Sequence, residues 1–228
     1  MFVVLKNPRF ALFLVVVSGF YVIYNQVYNI LPLYTKRVLE KNPAMDIYTM
    51  ANPLVIVCFQ LLVTKFFGKM KPIRSIIVGI LIVSASMAVN LVPIWFAGGP
   101  RAIASLSRPI GTIFVVLTVA LIAFGELFKS ARTYEFVGAL APKGQEGLFL
   151  GYVSLPMAIG VIVGGPLGAL IFNKIMCHNA VALESGLLEL DPTWNSYGWT
   201  ILMAVGLCSA LAMWLFHRWV ERNPQDAQ

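Results

Sequence analysis

Between Phe10 and Thr35 the chain runs twenty-six residues without one charged side chain. A bilayer core about 30 Å thick is crossed by about 20 mostly apolar helical residues, so this run alone is long enough to span. Five more follow, at Ile47–Thr64, Ser75–Pro100, Pro109–Gly125, Gly147–Asn173 and Gly198–Phe216, all separated by charge. Apolar residues run continuously through them rather than alternating, which fits helices and not barrel strands. Hydrophobic residues make up 59% of the chain and charged residues 12%, where soluble domains have about 45–50% and about 25%. The chain is predicted to be an all-α integral membrane protein. Residues 1–228 form a single six-helix bundle, with spans near 10–35, 47–64, 75–100, 109–140, 147–173 and 198–216. Almost nothing is left for a soluble domain, and the longest polar connection, 174–197, has room for one short amphipathic turn.

The net charge of +7 does not point to nucleic acid, because the basic residues are divided between loops. One set of connections holds Lys6, Arg9, Lys65, Lys69, Lys71, Arg74, Lys129, Arg132, Lys143, Arg218 and Arg222; the alternate set holds Lys36, Arg37, Lys41, Arg101, Arg108 and Lys174. Eleven against six, under the positive-inside rule, places both termini in the cytoplasm of a plasma (inner) membrane protein. The residues before the first span are too few for a cleavable signal, so that span acts as its own insertion signal. Cys58, Cys177 and Cys208 are scattered and make neither a disulfide framework nor a metal site. Paired histidines at ligand spacing, a phosphate-cradling glycine loop and a serine framed by a base are all missing, so neither an enzyme nor a cofactor is expected.

The fourth run is followed by charge in an unusual place. Glu126, Lys129, Arg132 and Glu135 fall within ten residues, yet no helix stop comes before Pro142. The thirty-two residues from Pro109 to Leu140 would extend about 48 Å, more than the hydrocarbon core. Ile122, Glu126, Lys129, Ser130 and Thr133 share one face at 100° per residue, and Glu126 and Lys129 are spaced to pair. Two readings stay open. Either the membrane ends here and the charges snorkel to its surface, or the helix aims a polar face at an internal cavity, since ionisable groups at depth mark pathways.

A repeat favours the second. Asn25 and Gln26 lie sixteen and seventeen residues past Arg9, and Glu126 eighteen past Arg108, so both polar sites come about 24–27 Å along their helices. Two three-helix units of inverted topology are a recurrent transporter plan. Gly160, Gly164, Gly165 and Gly168 read as a helix-packing face, and Pro32, Pro93, Pro156 and Pro166 as kinks. Tyr21, Tyr24 and Tyr28 form a stripe on the first helix. Asn52 precedes Pro53 and can satisfy backbone groups which that proline frees. His178 and His217 read as a loop and an interfacial residue.

These residues resemble the C-terminal six-helix half of a major facilitator superfamily transporter, most closely the proton-coupled oligopeptide transporter branch, over nearly the whole chain. FYVIYNQ is similar to that branch's seventh-helix motif F-W-x-x-x-(E/D)-Q, with Tyr21 at the tryptophan, Asn25 at the acid and Gln26 at the glutamine. Asn52-Pro53 matches the eighth-helix N-P pair. GELFKSA and ALAP resemble the tenth-helix G-E-L-x-x-S-P and L-A-P, and GKMKPIR a degenerate facilitator loop motif. The resemblance implies half of a twelve-helix fold that moves a small polar solute, such as a di- or tripeptide, by proton-coupled alternating access. It would give Glu126 the amino end of a peptide and Asn52 its backbone, with Tyr21, Asn25, Gln26, Lys129, Ser130 and Tyr152 as further substrate-binding candidates. The departures are Asn25 for the acid, Ala131 for the proline, Lys129 for an apolar residue, and Tyr152 as the nearest aromatic to the eleventh-helix tryptophan. No E-x-x-E-R motif is present. The expected partners are the lipid bilayer, a missing N-terminal six-helix half, the solute and protons, and the chain reads as a fragment or a truncated frame. The alternative function is a non-transporting membrane scaffold or subunit.

Overall fold

The computed structural model describes residues 7–96, 99–102 and 109–223; Lys6, Arg108 and Gln228 lie outside them. Among the described residues six helices are long and apolar enough to cross a membrane: α1 (Pro8–Leu39), α2 (Met45–Phe67), α3 (Pro72–Trp95), α4 (Ile110–Leu140), α5 (Glu146–Met176) and α6 (Pro192–Arg222). Asn7 Oδ1 caps α1 by accepting from the Arg9 and Phe10 amides, and Asp191 Oδ1 caps α6 from the Thr193 and Trp194 amides. A proline follows each cap where no amide donor is needed.

Prolines mark the breaks in four of the spans, although Pro166, expected to kink α5, sits within its unbroken α-helical stretch Leu155–Leu170. A proline cannot donate to the carbonyl four residues before it, and α1, α2, α3 and α5 are each interrupted near that carbonyl. The α-helix of α1 ends at Tyr24, passes through a 3₁₀ turn at Asn25–Val27 and resumes at Ile30, ahead of Pro32. Similar interruptions fall at Met50 before Pro53, at Val89 and Asn90 before Pro93, and over 151–154 before Pro156. By contrast α4, with no proline inside, is a single α-helix of 31 residues. So is α6, whose one proline occupies its first position. It begins six residues before Gly198, and α5 runs on to Met176. The connection between them is therefore short, and it folds as a hairpin of β1 (Val181–Ala182) and β2 (Leu188–Glu189) instead of an amphipathic turn.

Helix α1 packs on α5 and α6, α4 packs on α2 and α3, and α3 packs on α6. Exchanging the first three helices with the last three leaves that set of contacts unchanged. An odd number of crossings separates each helix from its counterpart, so the two three-helix units run in opposite directions, as an inverted repeat requires. Glycines set the closest approaches. A Cβ on Gly79 of α3 would lie 2.6 Å from the Gly125 carbonyl, and one on Gly125 would lie 2.7 Å from the Gly79 carbonyl. On the opposite side Gly160, Gly164 and Gly168 of α5 lie against Tyr21, Val22 and Gln26 of α1. Gly165 meets only Asn29, and at ordinary contact distance. The core is built from α1, α3 and α6, with Phe10, Phe13, Ile76, Ile80, Trp199 and Met213 fully enclosed. Helix α2, packed mainly on α4, is the least buried span, with Val57 77% and Leu61 79% exposed.

Charge at the helix ends is sorted as the loops suggest. Arg9 lies over Trp219, Lys71 pairs with Glu221 at 3.6 Å, and Arg132 donates to the Gly68 carbonyl, all at one end of the bundle. At the other end Arg101 pairs with Glu189 at 2.9 Å and Lys41 lies beside Gly186.

Candidate functional site

The first and fourth helices, equivalent in the repeat, touch directly near their middles, and most of the sequence-predicted site residues gather there. Tyr21 comes from the last turns of the α-helical part of α1, one turn before the break at Asn25. Glu126, Lys129 and Ser130 come from α4, and Asn52 from the first turn of α2 after Met50. Tyr24, which the sequence offered only as part of an aromatic stripe, joins them. Its hydroxyl reaches toward both Glu126 and Asn52.

Glu126 is half-buried. One carboxylate oxygen, Oε1, accepts from Ser130 Oγ at the long distance of 3.5 Å. Among the described residues the other, Oε2, is buried and makes no hydrogen bond of ordinary geometry, and neither does Asn52 Nδ2. An acceptor on α4 and a donor on α2 thus both face the Tyr24 hydroxyl of α1, and neither is fully satisfied there. Leaving such groups unmade inside a membrane costs free energy, and a ligand carrying a complementary donor and acceptor would recover it. A cleft of about 270 Å³ reaches Asn52 between α1 and α2, lined also by Tyr28, Asp46, Thr49 and Pro53.

Lys129 is placed differently from the pairing its spacing suggested. It is 2% exposed, makes no ion pair with Glu126, and donates from Nζ to the Tyr21 hydroxyl. Its ammonium stands 3.7 Å from the centre of the Tyr21 ring and 5.0 Å from that of Phe20. The reason is steric. Lys129 lies on the side of α4 that crosses α3 at Gly79, and from there its stem extends toward α1.

The remaining candidates are further from Glu126 or turned away. Asn25 Nδ2 donates to the Tyr21 carbonyl and Gln26 Nε2 to the carbonyls of Val22 and Gly164. Both side chains serve the break in α1 and its seam with α5. Tyr152 meets Phe10 edge-on, and Phe10 is eleven residues before Tyr21, about 16 Å along the helix. Of the four charges on α4, the outer two lie at the end of the bundle. Arg132 binds Glu135 on its own helix and the terminal carbonyls of α2, as a cation at a helix C-terminus does.

A family model described as the POT family matches residues 9–182. No curated protein matches the chain. Solved structures that share its fold include three peptide or POT family transporters. The crystal structure of a glutamate-to-glutamine mutant of peptide transporter POT is 18% identical with a TM-score of 0.67, covering 94% of this chain and 40% of that one. The same mutant in complex with alafosfalin is 19% identical with a TM-score of 0.69, covering 94% and 41%. A POT family transporter in complex with 5-aminolevulinic acid is 18% identical with a TM-score of 0.67, covering 97% and 42%. The chain spans about two fifths of the length of these structures.

Proposed function

The chain belongs to the POT family and is a multi-pass integral membrane protein, and on that premise we propose that it forms the C-terminal solute-binding wall of a secondary active transporter. The solute is small, polar and amine-bearing, of the size of a di- or tripeptide. Uptake is coupled to protons and proceeds by alternating access against an N-terminal six-helix partner, in the plasma membrane, with both termini cytoplasmic. One observation carries this reading: Glu126 Oε2 and Asn52 Nδ2, both buried and without a hydrogen bond of ordinary geometry, face the same Tyr24 hydroxyl.

In a site of low dielectric a carboxylate favours a charge-assisted donor over a neutral one. A primary ammonium supplies that donor, and a carbonyl one residue further along the solute would accept from Asn52. Tyr24 and Ser130 hold the carboxylate between them, and the Tyr21 ring supplies an apolar wall. Asn25 and Gln26 act one step back, keeping α1 broken where the solute lies; Lys129 fixes Tyr21. Tyr152, at the level of Phe10, would meet the solute on its way to one side of the membrane.

The test is uptake of radiolabelled dialanine by proteoliposomes holding this chain assembled with the six-helix partner. Losing a hydrogen bond to a charged group costs about 1.5–3 kcal/mol, so Glu126→Gln is expected to weaken dialanine by about ten- to hundredfold. Its effect on N-acetyl-dialanine, which has no amine, should be far smaller. Equal losses for both compounds, or none for either, would remove Glu126 from amine recognition.

A further inference from the structure

Lys129 buries an ammonium in the middle of a membrane helix without giving it a carboxylate. Its Nζ is held by the Tyr21 hydroxyl and the faces of Tyr21 and Phe20, while Glu126, one turn earlier on α4, keeps an oxygen with no partner. An anion and a cation thus stand near each other, each half satisfied, as in an ion pair that has been drawn apart. Aromatic faces with a hydroxyl and an adjacent carboxylate are the surroundings that recognise alkylammonium groups. Here a side chain of the protein already fills part of them.

We propose that Phe20, Tyr21 and Glu126 form a binding corner for a primary alkylammonium group, and that Lys129 is its built-in occupant. A solute amine drawn to Glu126 meets the like charge of Lys129 a turn away, so full engagement of the amine requires Nζ to withdraw from the Tyr21 ring. The four-carbon stem allows that movement without a change in backbone. Lys129 then sets specificity: it disfavours solutes whose only charge is an amine, and tolerates those that also carry a carboxylate able to follow the displaced ammonium. The second statement deepens the reading under Proposed function and rests on it, whereas the corner itself does not.

The corner can be read without transport. Lys129→Ala in the purified full chain removes the three methylenes beyond Cβ and the ammonium, a space that n-propylammonium matches in length and charge. The melting temperature of Lys129→Ala is expected to fall below that of the unaltered chain and to rise saturably with propylammonium chloride. Neither 1-propanol nor sodium chloride at the same concentration should raise it. The unaltered chain should respond about tenfold more weakly or less, and Lys129→Ala combined with Glu126→Gln should lose the response. Where Lys129→Ala alone gives no folded protein, extraction in propylammonium is expected to recover it. Absence of rescue or recovery, or an equal rise with propanol, overturns the proposal and leaves Lys129 as a packing element. Amine rescue that persists alongside failed dialanine uptake keeps the corner and sinks only the transport reading; the reverse result sinks only the corner.

Discussion

Ser75 Oγ donates to the Phe128 carbonyl at 2.7 Å, and this bond fixes the register of α3 against α4. Only three residues of α3 precede Ser75, about 4.5 Å of helix, whereas twelve residues of α4 follow Phe128, about 18 Å. The end of α4 therefore runs on well past the start of its neighbour, carrying Arg132 and Glu135 with it. Glu126, before Phe128, stays within the bundle. A helix too long for the membrane is accommodated by overshoot at one end, and one stretch of sequence holds both an interfacial pair and a buried polar site.

The crossing of α3 and α4 depends on the absence of two side chains. Gly125→Val would drive its methyl groups against the Gly79 carbonyl and Val83, and overpacking of this kind costs about 1–3 kcal/mol. The purified variant should melt at a lower temperature than Gly138→Val, because a Cβ on Gly138 meets nothing within 4 Å. Equal melting temperatures would mean that the crossing tolerates being spread.

The seam between α1 and α5 separates a bond from a space. Gln26 is fully buried and donates to the Gly164 carbonyl at 3.0 Å, but interhelical hydrogen bonds in membranes contribute only about 0.6 kcal/mol on average. Its Oε1 is left unpartnered, so Gln26→Leu also relieves a penalty. We expect Gln26→Leu to shift stability by well under 1 kcal/mol, about the size of that bond. Gly164→Val, whose side chain would press on the Val22 backbone, should cost several times more. Thermal denaturation of the two variants, compared in the same detergent, decides between them.

Six spans were legible because long uncharged runs leave a membrane chain little choice, and the inverted repeat because its polar residues fall at matching depths. The ends of spans were less so. Trp194, Asn195 and Ser196 interrupt the apolar run, yet they belong to α6, since Asn195 donates to the buried Tyr34 hydroxyl and the Ser196 hydroxyl to the Pro192 carbonyl. Nor did spacing reveal the partner of Lys129. An i, i+3 separation says that Glu126 and Lys129 can meet, but Tyr21 arrives from a helix 108 residues away in sequence, and only the fold brings it there. Tyr24 was hidden for the same reason: a stripe at helical spacing looks identical whether it faces a core or a binding site.

Topology offers an independent check. Arg9, Lys71, Arg132, Arg218 and Arg222 lie toward one end of the bundle, and Lys41, Arg101 and the β1–β2 hairpin toward the other. The more basic end is expected in the cytoplasm. A reporter fused after Arg222 should be active there, and one inserted at Glu184 should be active only outside. Both reporters on one side would remove the six-span arrangement, and a clean exchange would reverse the orientation while leaving the fold intact.

The last prediction asks water itself where the site is. Glu126 is half-buried and Lys129 is 2% exposed, although they are one turn apart on one helix. A cavity that admits solute also admits a small charged thiol reagent, and the reagent cannot follow Lys129 behind Tyr21. In a background with Cys58, Cys177 and Cys208 replaced by alanine, Glu126→Cys should therefore be modified readily. Lys129→Cys should be modified far more slowly, and slower still where Tyr21 is kept than where Tyr21→Ala opens the corner. Arg132→Cys, near the membrane surface, supplies the upper limit of rate. If cysteines at 126 and 129 react alike, the aromatic screen over Lys129 is not a barrier. If neither reacts from either side of the membrane while 132 does, no aqueous cavity reaches Glu126, and the carboxylate is a helix-packing group rather than the floor of a binding site.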